Sequence, residues 1–230
     1  RKESSAASDV YKRQTHALVV CKGTHGVDLR LVALDQNCQI ISQETIDDSR
    51  GHFSIQFNNT ASDPIGDQGA GWSMVEHIFN QAAVLLSFEQ IGGAQAALDM
   101  ANSYAQQRFA FGRAIGSYQA IKHKLADMYI KLTLAKSNSF YAAWALSTES
   151  SELALAAATA RVSATQAFHY CAQENIQTHG GNGYTWEYDC HLFYRRSKLL
   201  GINIGSVARW QEKLVSVLEK TTPENTSQKI

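Results

Sequence analysis

The sequence predicts an α+β protein, mainly α, in which a partial antiparallel β-domain precedes an up-down helical bundle. Three observations carry this reading. Short β-prone runs separated by Gly, Asn and Asp fill residues 17–57. After Pro64 there is no proline until Pro223, which suits long helices because proline breaks the i→i−4 ladder. Within that stretch apolar residues recur at alternating spacings of four and three, the seam of an antiparallel bundle.

The bulk properties narrow the function classes. With 44% hydrophobic residues among 230, the chain can bury a substantial core. Lys plus Arg and Asp plus Glu are 21 each, so no net field points to nucleic acid or to an anionic membrane. No apolar run approaches the roughly 18 residues of a membrane span, and residues 1–14 have charge and serine where a signal peptide needs an apolar stretch. The chain therefore reads as cytoplasmic. Cys21, Cys38, Cys171 and Cys190 form no CxxC or Cys/His cluster, which implies free thiols. His123, His169, His179 and His191 lack metal-helix spacing, so no metal site is expected.

In chain order, residues 1–14 are polar and aperiodic and read as a disordered tail or an artefact. Strands are expected at 17–21, 29–34, 38–42 and 52–57; in the last, Phe53, Ile55 and Phe57 alternate onto one face. These four make half a barrel or sandwich within 15–70, and Pro64 with Gly66, Gly69 and Gly71 forms a linker. The bundle should fill 71–220. Its first helix is marked by Ile78, Ala82, Leu85, Ile91 and Leu98, its second by Ile121, Leu125, Met128, Leu132 and Ala135. A third, with Ser151 as cap and Glu152 as first-turn acid, carries Leu153, Ala157, Ala160, Ala164, Ala167 and Cys171 and ends near Gly180. Shorter helices are expected over 186–199 and 206–220, and 221–230 is a polar tail.

Two stretches carry chemistry. In RFAFGRAIGSYQ, Arg108 ends a helix, Phe111 lies in the joint and Gln119 opens the next helix. A guanidinium fork suits a pyrophosphate, a ring can cover an adenine face, and an amide can bond a ribose or base edge. An ordinary helix corner with a dipole-favoured arginine explains the same residues. In QTHGGNGYTWE, glycines at 180, 181 and 183 exceed what a helix cap requires and would let backbone N–H groups approach a phosphate.

The text RFAFGRAIGSYQAIKHKLADM at 108–128, followed by IQTHGGNGYTWEYDCHLFYRR at 176–196, closely resembles the C-terminal half of the acyl-CoA dehydrogenase family. Upstream, LRLVAL, HFSIQFNNT and IGDQGAGW resemble the end of that family's middle β-domain, so the resemblance covers roughly 15–215 and the chain reads as a fragment beginning inside that domain. The resemblance implies FAD as cofactor, an acyl-CoA substrate, an electron-transfer partner and a homo- or hetero-oligomeric dimer or tetramer. It implies that Arg108, Phe111 and Gln119 hold the ADP part of FAD, and that Gln177, His179, Gly180 and Gly181 meet the cofactor from a neighbouring subunit, with Ser206 joining them. The chain alone is expected to bind FAD weakly.

Two departures stand out. At the family's usual base position, within Asn203-Ile204-Gly205-Ser206, this chain has Ile204, which cannot take a proton. At the alternative position on the first bundle helix it has Ala82, and the family's Asp-x-x-Arg reads Asn80-x-x-Ala83. Glu89 is the nearest acid on that helix; Glu187 and Asp189 are expected to cap or brace the helix that follows. The catalytic base is thus unassigned. HGGNGYTWEYDCHLFYRR resembles the subfamily acting on branched, cyclic or steroid-derived acyl-CoAs, some members of which have two kinds of subunit.

Overall fold

A computed structural model describes residues 3–6 and 15–221. Two compact units divide the chain, residues 1–79 and 80–230. The first holds six strands: β1 (Glu3–Ala6), β2 (His16–Lys22), β3 (Val27–Ala33), β4 (Cys38–Gln43), β5 (His52–Phe57) and β6 (Ser62–Ile65). They form two three-stranded antiparallel sheets, ordered β1-β5-β4 and β2-β3-β6. Ile55 is buried as its alternation requires, whereas Phe53 and Phe57 are only half-buried.

Two of these strands fall outside the sequence expectation. Glu3–Ala6, read as tail, pairs with the edge of β5, whose backbone groups otherwise lack partners on that side. Residues 1–2, 7–14 and 222–230, also read as tails, lie outside the described residues. The β6 strand contains Pro64, read as linker; proline is tolerated there because β6 is an edge strand. The turn after β6 presses on β3: Gly69 N–H donates to Asp28 Oδ1 at 2.8 Å, and a Cβ on Gly71 would lie 2.6 Å from the Asp28 carbonyl carbon.

The helices are α1 (Gly71–Gln107), α2 (Gln119–Ser147), α3 (Leu153–His179), α4 (Cys190–Ile202) and α5 (Val207–Thr221). The first residues of α1, up to Phe79, belong to the first unit; the rest builds the second. The expected stripe on α1 is partly wrong: Leu85 is 66% exposed, and Ile78 is exposed as well. The buried line runs instead through Ala83, Ser87, Gln90, Ala94, Ala97, Ala101 and Ala105. Small residues let the backbones approach, so large apolar side chains were poor markers of the seam. On α2 the expected Met128, Leu132 and Ala135 are buried, and the line continues through Ser139, Ala142 and Ala145. All six expected positions on α3 are buried, together with Ala156, Phe168 and Ala172 on its other sides, so α3 is the central helix.

Packing at the centre is tight. A Cβ on Gly93 would sit 2.5 Å from the Phe168 ring, so only glycine lets α1 approach α3 there. Arg161, 1% exposed, is satisfied rather than orphaned: it donates to Gln90 Oε1 at 3.0 Å and to the Leu200 carbonyl, tying α1, α3 and α4 together. Burial pulls its guanidinium down to about 10, partly offset by Glu89. Buried Cys171 and Cys190 are unpaired thiols whose pKa values burial pushes up to about 12 and about 11, so both stay protonated.

The caps differ from expectation. Glu152, not Ser151, holds the N-cap position of α3, without a side-chain cap bond. The α4 helix starts at Cys190 rather than near 186; Asp189 takes its N-cap position but contributes its carbonyl, to Leu192 N–H, instead of its side chain.

Two tests follow from this packing. Gly93→Ala is expected to destabilise the bundle by about 1–3 kcal/mol through overpacking, read as a lower urea midpoint at unchanged slope, with Phe168→Leu recovering part of the loss. His169, whose Nε2 faces Lys198 Nζ at 3.3 Å and whose Nδ1 is buried without a partner, has its pKa lowered by burial and by Lys198. The unfolded chain takes up this proton first as pH falls through about 6.5, so stability falls with acidification. The melting temperature should therefore drop below that pH, and less steeply in His169→Gln.

Candidate functional site

The α1 helix ends at Gln107, and a two-residue hairpin follows at once: β7 (Phe109–Ala110) and β8 (Arg113–Ala114). Its loop, Phe111 and Gly112, takes φ values of 52° and 82°, the positive-φ pair that a tight two-residue hairpin demands. Phe111 is strained there, since a non-glycine residue rarely adopts this region. The hairpin is nevertheless firmly held. Ile115 N–H donates to the Arg108 carbonyl at 2.8 Å, Tyr118 Oη donates to the Ala110 carbonyl at 2.9 Å, and the Arg113 guanidinium stacks 3.9 Å over the Tyr118 ring. A Cβ on Gly116 would lie 2.9 Å from the Ala105 carbonyl oxygen, so glycine permits the 3₁₀ turn over Ile115–Ser117 to lie against α1.

This scaffold presents the predicted residues outward. Phe111 is 98% exposed at the hairpin tip, Arg108 is exposed just past α1, and Gln119 is the exposed first residue of α2. Between α1 and α2 a cleft of about 390 Å³ opens beside the hairpin, lined by Asn102, Gln106, Gly116, Lys122 and Leu125 among others.

The second stretch is the end of α3 and a 3₁₀ turn over Gly180–Tyr184. Gly180 has φ 60° and ψ −135°, a conformation open to glycine, and its N–H donates to the Gln177 carbonyl. That N–H is engaged within the turn, contrary to the expectation of bare backbone there. A Cβ on Gly183 would meet the Ile176 carbonyl oxygen at 2.5 Å, so this glycine serves packing. Gln177, Gly180 and Gly181 are exposed, and a Cβ added at either of those two glycines would meet nothing within 4 Å.

His179 faces inward. It is 4% exposed, and its Nδ1 donates to the Asn175 carbonyl at 2.8 Å, which leaves Nε2 without the proton. Burial lowers its pKa, against the pull of that bond. Its ring stacks on Tyr104 with centroids 4.0 Å apart, and Tyr188 closes on the edge at 5.4 Å. It is thus packed among Asn175, Tyr104 and Tyr188 at this end of α3.

Tyr104 unites the two stretches. Its carbonyl accepts from Arg108 N–H at 2.9 Å, its ring lies on His179, and its hydroxyl accepts from Asn182 Nδ2 at 3.1 Å. Tyr104 thus ties the end of α1 that launches the Arg108–Phe111 hairpin to the end of α3 that carries Gln177, Gly180 and Gly181. Tyr104, Asn182 and Tyr188 were missed. Only Tyr104 left a trace, one turn before Arg108 on α1.

Ser206 lies elsewhere, capping α5: its Oγ accepts from Arg209 N–H at 3.4 Å and its carbonyl from Trp210 N–H at 3.2 Å. Nearby, the Trp210 indole donates to the Ile204 carbonyl at 3.2 Å. Ala83 is wholly buried, and Asn80 Oδ1 accepts from Lys213 Nζ at 2.8 Å. Glu89 is ion-paired with Arg196 at 2.7 Å. Among the described residues no cluster of three His, Cys, Asp or Glu could hold a metal, and no helix is long and apolar enough to cross a membrane.

Comparisons with known proteins agree with this architecture. Residues 69–209 match the family model described as acyl-CoA dehydrogenase, C-terminal domain. Acyl-CoA dehydrogenase IpdE2 of Mycobacterium tuberculosis is 42% identical over 120 residues, covering 52% of this chain and 36% of that protein. A crystal structure of a putative acyl-CoA dehydrogenase from Mycobacterium smegmatis superposes with a TM-score of 0.86 at 20% identity, over 96% of this chain and 60% of that one. The ChsE4–ChsE5 complex of Mycobacterium tuberculosis gives a TM-score of 0.79 at 23% identity, over 90% of this chain and 56% of the matched one. The match to IpdE2 therefore spans little more than a third of that relative's length, and by its family model the chain belongs to the acyl-CoA dehydrogenase family.

Proposed function

We propose that this chain forms part of a cytoplasmic, FAD-dependent acyl-CoA dehydrogenase that introduces an α,β double bond into an acyl-CoA thioester, of the branched, cyclic or steroid-derived kind. The observation that carries it is the gathering, through Tyr104, of exposed Arg108, a 98% exposed Phe111 ring and the open Gly180–Gly181 turn at one end of one chain. An ordinary helix corner has no use for a strained, fully exposed aromatic tip.

These residues fit the ADP part of FAD. Arg108 offers a fork to the diphosphate, Phe111 a ring to the adenine, Gln119 and Gln177 amides to ribose or base, and the two glycines leave space where side chains would intrude. His179 holds the turn through Tyr104, and Ser206 is assigned to the cofactor on the family resemblance. When bound, the flavin supplies the hydride acceptor for conversion of acyl-CoA to enoyl-CoA. The α-proton has no acceptor at Ile204 or Ala82. Glu89 is engaged by Arg196 and remains a poor candidate. The base is therefore assigned to another segment or subunit, within a homo- or hetero-oligomer that passes electrons to an electron-transfer partner.

A second reading, a non-catalytic scaffold or FAD-anchoring subunit of a hetero-oligomer, is favoured by one specific feature. Where the family has Asp-x-x-Arg, this chain has Asn80 tied to Lys213 and a fully buried Ala83. That corner is built as packed structure.

Anaerobic titration of the purified oligomer with medium-chain, branched-chain and steroid-derived acyl-CoAs separates the readings. Bleaching of flavin absorbance is expected for the dehydrogenase. A yellow protein that never bleaches indicates an anchoring subunit, and a colourless one would sink the flavin reading. Arg108→Ala should lower FAD affinity about 10- to 150-fold, the equivalent of one charge-assisted hydrogen bond. Because Arg108 is exposed, its removal should shift stability by no more than about 0.5 kcal/mol, as measured by urea unfolding.

A further inference from the structure

The glycine turn continues into Tyr184–Asp189, and one ring there has no place in the core: Trp186 is 74% exposed. Leaving an indole in water forfeits a large hydrophobic gain, yet this ring is held in place. The Arg195 guanidinium lies 5.2 Å from its centroid, and the His191 ring meets it edge-on at 4.6 Å and 73°. His191 is itself fixed, its Nδ1 donating to the Tyr188 carbonyl at 3.0 Å. The same segment is fastened to the clamp, since Tyr188 meets Tyr104 edge-on at 5.8 Å and Asn182 bonds the Tyr104 hydroxyl. Trp186 therefore stands at the end of the bundle that carries Phe111, backed by a cation, with its ring largely open to solvent.

We propose that Trp186 is a second stacking platform, in addition to Phe111, for the adenine ring of an ADP-containing ligand. This rests on the reading of that end of the bundle as an ADP clamp. Every purine offers a π-face, and an aromatic plane fixed beforehand loses little freedom on binding. A guanidinium behind the indole draws electron density from it, which favours stacking with an electron-rich purine on the open side. FAD and coenzyme A share the ADP group, so the chemistry fits both.

The test follows the indole N–H resonances of the four tryptophans in the ¹⁵N-labelled chain during titration with ADP, then FAD and coenzyme A separately. Trp186→Leu identifies the Trp186 signal. The expected result is that ADP shifts the Trp186 signal while those of Trp72, Trp144 and Trp210 stay still, and that Trp186→Leu weakens ADP binding about 5- to 150-fold. Movement with only one of FAD and coenzyme A supports the proposal and identifies the source of the adenine. Shifts of the Gln119 and Gly181 amides without any at Trp186 would overturn the platform and leave the clamp standing. No shift anywhere with ADP would overturn both. A Trp186 signal that moves with protein concentration and not with ADP would assign the ring to a contact with a second copy and end the proposal.

Discussion

The stack of Tyr104 on His179 is the contact on which the functional end of this bundle depends. An aromatic pair of this kind is worth about 0.5–1.5 kcal/mol beyond its buried area, a modest sum, but its position multiplies its effect. Tyr104 lies in the last turn of a 37-residue helix, and His179 is the last residue of the central helix. Joining them fixes where both helices stop, and each stop launches a working segment: the Phe111 hairpin from α1 and the Gly180 turn from α3. The buried histidine is kept neutral there, its Nδ1 proton given to its own helix.

That alignment is helped by small residues along the helix seams. The α1 seam is mostly alanine, Gly93 admits the Phe168 ring, and α3 buries small residues on several sides. Small side chains lose little rotamer freedom on folding and let backbones settle at short separation. A seam of large residues would have held the helices apart. The largest fully buried side chain among the described residues, Arg161, finds carbonyl and amide partners on two neighbouring helices, as a buried cation must.

The corner where the family keeps its acid and its Asp-x-x-Arg is built differently. Trp210 caps the Ile204 carbonyl, Lys213 reaches Asn80, and Ala83 is sealed inside. The Trp210 indole and the Asn80 amide oxygen are bonded within the bundle, while Asn203 Oδ1 is buried without a partner. The chain thus combines an outward-facing hairpin and glycine turn with a packed corner around Ala83.

Much of this was legible in the residues alone. The strands at 17–57, the helix spans and the seams of α2 and α3 follow from periodicity, which is a local property of the chain. Arg108, Phe111, Gln119 and the glycines stand out by residue type and order, a pattern that an ordinary helix corner and helix cap also produce. The α1 seam was misread because alanines rank low when apolar size is the guide, and β6 was hidden by a proline that only an edge position tolerates. Sequence could not show that His179 faces inward, that the Gly180 N–H is already bonded, that Ser206 caps a helix, or that Tyr104 brings both stretches to one end of one chain. Those facts depend on which residues, 70 or more positions apart in sequence, meet across the bundle. Periodicity tells a helix which face to bury, but only packing decides where along its neighbour that face comes to rest.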